Sequence, residues 1–385
     1  MDISRSGLEA LENEVLGKID LVEARVVRLP FVKPFAISTA SWSAKEAILL
    51  RIEGEGARGW GECVADPDPY YSAETTTTVH HVLKNFLLPL VEPGITLGEL
   101  DRRFRRVRGH MMAKATLENA LLDWIAVRKG LPLHQLLGYP RRPIPSGISI
   151  GIQETIEDLL AAVEEAVAAG YHRIKLKIEP GKDLQYLDAV RHIFPSAPLM
   201  VDANGAYRLE DAKHLRQLDR LGLMMIEQPL SYSDIYQHSI LHQSLETPLC
   251  LDESIHSLDD ARAAIALGSC RILNLKQGRV GGLLESLRIL EFAAEHGVPV
   301  WSGGMDETGI GRAFNIHLQC HPAFTLPGDT SETRRYFHED IVGPPVVLGE
   351  NGYIAVPEGP GIGVRIRGDI LQKTTLSVDR LFPRA

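Results

Sequence analysis

Five ionisable residues recur along the middle of the chain at the spacing of one strand-plus-helix unit. Lys177, Asp202, Glu227, Asp252 and Lys276 are separated by 25, 25, 25 and 24 residues, and each falls at or near the C-terminal end of a short apolar run. A single acid at a strand end is ordinarily the residue that caps the next helix. Capping does not account for three acids flanked by lysines and repeating at one interval. In a parallel β/α barrel this spacing carries all five side chains to the same C-terminal mouth, where active sites of that architecture are built.

The surrounding pattern predicts such a barrel. ISIGI, HRIKLKI, PLMVDAN, LMMIEQP, PLCLDES, RILNLKQ and VPVWSGG read as strands, and segments such as TIEDLLAAVEEAVAAG and LLESLRILEFAAEHG between them have helical spacing. An eighth strand is expected near AFTL. A doubly wound open sheet is the rival fold, but its usual Gly-rich first turn does not follow ISIGI. GPGIGV, near the C-terminus, opens no helix, lacks GxGxxG spacing and reads as a turn.

Before the barrel, residues 19–140 run from alternating strand-like segments (LVEARVVRL, EAILLRIEG) into helical spacing, clearest in AKATLENALLDWIAVRKG. This suggests a separate α+β domain. PRRPIPSG is the linker into a barrel spanning 141–340, and the Gly/Pro-rich segment 341–385 is expected to return to the N-terminal domain. Residues 1–18 read as a short acidic helix or a tail.

Composition narrows the function classes. Lys plus Arg total 41 against 50 Asp plus Glu, for a formal net charge of −9, with no basic footprint for nucleic acid. Cys63, Cys250, Cys270 and Cys320 are scattered and read as reduced thiols of a cytoplasmic protein. The N-terminus lacks the apolar core of a signal peptide, and no run approaches the ~20 apolar residues of a membrane span.

Asp202, Glu227 and Asp252 offer only hard oxygen ligands, which selects Mg²⁺, with Mn²⁺ as substitute, over Zn²⁺. Lys175 and Lys177, two apart, project from one face of their strand. A small carboxylate substrate held at the metal between Lys177 and Lys276 is arranged to lose a proton from its α-carbon, with nearby cations stabilising the enediolate. Lysine is mostly protonated at neutral pH, so Lys177 needs like charges beside it, from Lys175 and the ion, to act as a base. A lysine base with Mg²⁺ and an enediolate is the general enolase-superfamily pattern.

IKLKI, VDAN, IEQP, CLDES, LNLKQGRVGG and WSGGMDETGIGRAFN resemble the muconate-lactonizing subgroup of the enolase superfamily. Within it they are most similar to the o-succinylbenzoate synthase / N-succinylamino acid racemase family, over about residues 20 to 370, including DWIAVRKGLPLHQLLG and LPGDTS. The resemblance implies an α+β capping domain made from both termini, a (β/α)7β barrel, and Mg²⁺ on Asp202, Glu227 and Asp252. It implies Lys177 as general base with Lys276 opposite, acting in a dehydration of menaquinone biosynthesis or in racemisation of N-succinylamino acids. Arg279 stands at the position associated with the racemising branch. Asn204, Arg279, Gly304, Met305 and Asp306 are expected at the substrate.

Asp306 replaces an expected apolar residue, and so alters either pocket charge or only the loop conformation. Residues 34–43 are expected to form a lid. Tyr70 and Tyr71 either face the pocket or pack on the surface. A dipeptide epimerase, a cycloisomerase and a non-catalytic metal-binding barrel are the remaining alternatives, and self-association into a homo-oligomer is expected. The pairs His80/His81 and His317/His321 lack a metal-site pattern, and no GxSxG or Walker motif occurs.

Overall fold

The computed structural model describes residues 5–36 and 41–383. The C-terminal strand Thr375–Phe382 pairs antiparallel with Leu21–Ala36, Asp379 opposite Ala24. Strands Ser41–Gly54 and Ala57–Cys63 complete a four-stranded antiparallel sheet, so the tail returns to the N-terminal region and closes one edge of its sheet. Residues 37–40, the tip of the expected lid, lie outside the described residues.

Helix Met111–Lys129 packs across this sheet and ends at Gly130, whose φ of 67° suits a helix C-terminus. The approach is so close that only glycine fits on the strand beneath: a Cβ on Gly59 would lie 2.4 Å from the Ala120 carbonyl oxygen, and one on Gly61 2.3 Å from that of Thr116. Asp123 of the helix accepts from the Trp60 N–H at 2.8 Å and the Ile362 N–H at 2.7 Å, tying sheet, helix and C-terminal segment together.

The second body is a seven-stranded parallel sheet running in chain order from Gly147–Ile150 to Val300–Ser302, with helices between the strands. Helix Ile156–Ala168 starts where the Thr155 side chain accepts from the Asp158 N–H. No eighth strand forms at AFTL. Closure there comes from isolated parallel bridges, Val300 with Phe324 and Ser146 with Gly328. The connection from Asp202 to Glu227 is a string of short helical turns between Leu209 and Leu221, and the tail contains a helix, Gly368–Thr374, before its last strand. The fold is thus a β/α barrel capped by an α+β domain built from both ends of the chain. Among the described residues no helix is long and apolar enough to cross a membrane.

Candidate active site

Parallel register sets the charged residues side by side. Lys177 pairs with Asp202, and Asp202 with Glu227, across adjacent strands. Asp252 and Lys276 each directly follow the next two strands, Leu249–Leu251 and Ile272–Leu275. The three acids and Lys276 are buried, and the Lys177 side chain is 8% exposed. Lys175, Lys177 and Lys276 line one cleft between barrel and cap, together with Gly304, Met305 and Asp306.

Each ammonium is held by a different set. Lys177 Nζ lies 2.6 Å from Asp202 Oδ2 and donates to Asn204 Oδ1 at 2.7 Å. Asn204, at a left-handed φ of 44°, passes the constraint on through Nδ2 to Glu253 Oε1 at 2.7 Å. Lys276 Nζ lies 2.9 Å from Asp252 Oδ2 and 2.7 Å from the Tyr71 hydroxyl. Lys175 sits among three carboxylates, Asp202 and Glu227 at 3.1 Å and Asp329 at 3.0 Å, so its positive charge is locally compensated. Gly303 lets the last strand approach: a Cβ there would lie 2.7 Å from Lys276 Cε.

Burial pushes all three carboxylates up, and the balance of neighbouring charges of both signs decides the outcome. Asp252 stays far below the ordinary range because Arg279 and Lys276 flank it. Asp202 is held down by Lys177 and Lys175. Glu227 is driven well above its usual range by burial and the adjacent Asp202, with Asp252 adding to the push and Lys175 opposing it. Lys276, which burial alone would lower, is held above the ordinary lysine range by Asp252 and Tyr71.

Among the described residues no three acidic, histidine or cysteine side chains form a ready-made ion cage. The lysine ammoniums hold the three carboxylates instead. The donor chemistry nevertheless fits a hard divalent cation: all-oxygen ligands, one of which, Glu227, is pressed by like charges on neighbouring strands.

Arg279, expected at the substrate, turns into the protein. Its Nε donates to the Ile255 carbonyl at 3.0 Å and its Nη2 to that of Asn274 at 3.1 Å, while Nη1 binds Asp252 at 2.5 Å. Tyr71 reaches Lys276, whereas Tyr70 is 70% exposed. Sequence reasoning did not single out Asp329, which pairs with Arg173 and Lys175. Its only signal was membership of the LPGDTS run. Lys45 and Asp66, contributed to the cleft by the cap, were also missed because no spacing links them to the barrel pattern.

Fold and site together define an enolase-type barrel. The family model for the N-terminal domain of mandelate racemase and muconate lactonizing enzyme matches residues 21–138, and the enolase C-terminal domain-like model matches 158–370. The chain belongs to the enolase superfamily and, within it, to the o-succinylbenzoate synthase / N-succinylamino acid racemase family. It is 50% identical over 348 residues to an o-succinylbenzoate synthase of Geobacillus kaustophilus, covering 90% of this chain and 92% of that one. It is 45% identical over 361 residues to an N-succinylamino acid racemase of Amycolatopsis, covering 93% and 98%. A solved enolase-superfamily structure from Listeria innocua superposes with a TM-score of 0.90 at 40% identity, covering 94% of this chain and 98% of that one.

Proposed function

We propose that the protein is an o-succinylbenzoate synthase, dehydrating 2-succinyl-6-hydroxy-2,4-cyclohexadiene-1-carboxylate, a small free carboxylate, in the cytoplasm. The observation that carries this reading is the single cleft lined by both Lys177 and Lys276 above three buried carboxylates. Lys177 Nζ takes the proton from the carbon bearing the carboxylate. The electron pair released forms the new ring double bond and expels the hydroxyl group, which leaves as water after taking the proton back from Lys177. Lys276, kept cationic by Asp252, stabilises the negative charge that develops between these steps. Mg²⁺, with Mn²⁺ as substitute, held by Asp202, Glu227 and Asp252, supplies when bound a further positive charge beside the substrate carboxylate. Arg279 acts by fixing Asp252.

The two lysines also favour a second reading, racemisation of N-succinylamino acids, in which each exchanges the α-proton with one face of the substrate. The Amycolatopsis relative, described as such a racemase, supports it. The ultraviolet rate of dehydration, with Mg²⁺ and with EDTA, tests the main reading. Metal-dependent turnover is expected, and no turnover by folded, metal-loaded protein would move the substrate to another acid.

A further inference from the structure

Glu253 directly follows Asp252, the partner of Lys276, yet its own side chain turns toward the other lysine. It is 5% exposed, and the one side-chain hydrogen bond it makes among the described residues is the 2.7 Å contact in which Oε1 accepts from Asn204 Nδ2. Oε2 is buried with no hydrogen-bond partner. A carboxyl buried on those terms costs the fold stability rather than adding to it. Asn204 in turn is fixed at three points. Its backbone N–H donates to Asp202 Oδ1 at 3.0 Å, its Oδ1 accepts from Lys177 at 2.7 Å, and its Nδ2 goes to Glu253. The partners of Lys276, Asp252 and Tyr71, include no amide.

We propose that Glu253 is a positioning residue for the Lys177 face of the reaction, acting through Asn204. The inference rests on the role of Lys177 proposed above. The two ends of an asparagine amide are alike in shape and opposite in hydrogen-bond sense. Glu253 Oε1 can only accept in this contact, so it holds the NH2 end on its own side and leaves the carbonyl on Lys177. With that acceptor gone, the amide is free to turn its NH2 toward Lys177. The turned amide opposes the ammonium and, in the neutral amine, donates to the lone pair that has to take the substrate proton.

Glu253→Leu and Glu253→Met remove the acceptor, whereas Glu253→Gln removes the negative charge, which Lys276 also feels, and keeps an acceptor oxygen. In metal-loaded protein, kcat for dehydration of 2-succinyl-6-hydroxy-2,4-cyclohexadiene-1-carboxylate is expected to fall about ten-fold in both apolar variants, the scale of one hydrogen bond to a charged group. KM and the melting temperature should stay near their wild-type values. Glu253→Gln should keep most of the activity, and in an Asn204→Ala background Glu253→Leu should cost nothing further. Deuterium exchange at the α-carbon of each enantiomer of N-succinylnorleucine reads the two faces separately. The apolar variants should slow the enantiomer whose exchange Lys177→Ala abolishes and spare the other. If one apolar variant fails to fold, the other still reports. Unchanged kcat in a folded apolar variant, equal loss in Glu253→Gln, or additive losses in the double variant overturn the assignment. Wild-type protein that is folded and metal-loaded but turns over neither compound defeats the reading of Lys177 as well, whereas active wild type with indifferent variants defeats only the role of Glu253.

Discussion

Lys177 is held entirely by the barrel, through Asp202 at the end of the neighbouring strand and Asn204 two residues beyond it. Lys276 is held half by the barrel, through Asp252, and half by the cap, through Tyr71, 205 residues distant in sequence. The cap also supports the turn that follows Lys276. Asn119 of the long cap helix donates to Gln277 Oε1 at 2.9 Å, and Glu118 accepts from the Leu284 N–H at 2.9 Å. The barrel by itself therefore assembles the acids and one lysine, while the geometry of the second lysine depends on two bodies meeting correctly. Chemistry that needs only one proton acceptor places less demand on that interface than chemistry needing two.

Removing the lysines should give the largest effects. Lys177→Ala is expected to lower dehydration by ~10²–10⁴-fold, the usual worth of a positioned general base, while the variant stays folded by circular dichroism. Full activity in that variant would dispose of the base assignment. Lys276→Arg keeps a cation but is a poor proton acceptor at neutral pH. It should spare part of the dehydration while abolishing racemisation, and equal loss of both would mean that the two lysines are not divided as described. Tyr71→Phe comes next, with an expected loss of ~10-fold, the scale of one hydrogen bond to a charged group. Solvent-deuterium exchange starting from each enantiomer separately sharpens the contrast. Tyr71→Phe should slow the enantiomer deprotonated by Lys276 and Asn204→Ala the other, and indifference to enantiomer would show that the cap does not act through Lys276.

The sequence made the barrel side of this contrast readable and left much of the cap side hidden. Lys177, Asp202, Glu227, Asp252 and Lys276 could be found because parallel register turns a regular interval into adjacency. Tyr71, Lys45 and Asp66 reach the cleft from loops and an antiparallel sheet, where no interval links a residue to the barrel mouth. Asp329 escaped for a related reason: the segment after AFTL closes the sheet through single bridges rather than a strand, so it carries no alternation to place its residues. Arg279 was located near the site but not oriented. Its position three residues after Lys276 leaves its direction open, and the deciding fact is that Asp252, already at the site, needs a second cation on its far oxygen.

The smallest effect concerns Glu118, which links the cap to the helix after Lys276. A Cβ on Gly282 would lie 2.3 Å from its Oε1, so the packing leaves the carboxyl little room to relax. Burial pushes Glu118 up to about 8. A carboxyl raised in the folded state binds its proton more tightly there than in the unfolded chain, so its share of stability is present below the ordinary glutamate range. That share is lost as pH rises toward 8. Wild-type protein should accordingly melt lower at pH 8 than at pH 5. Glu118→Gln, which cannot ionise, should flatten part of that slope, by a few degrees at most on the scale of ~1–2 kcal/mol in a chain of this size. Because the contact lies behind the helix after Lys276, the same variant should leave Lys177-face exchange unaltered. A melting curve whose pH dependence is identical in variant and wild type would mean that Glu118 is ionised in the folded protein, and that the cap grips this helix through a charge rather than a neutral hydrogen bond.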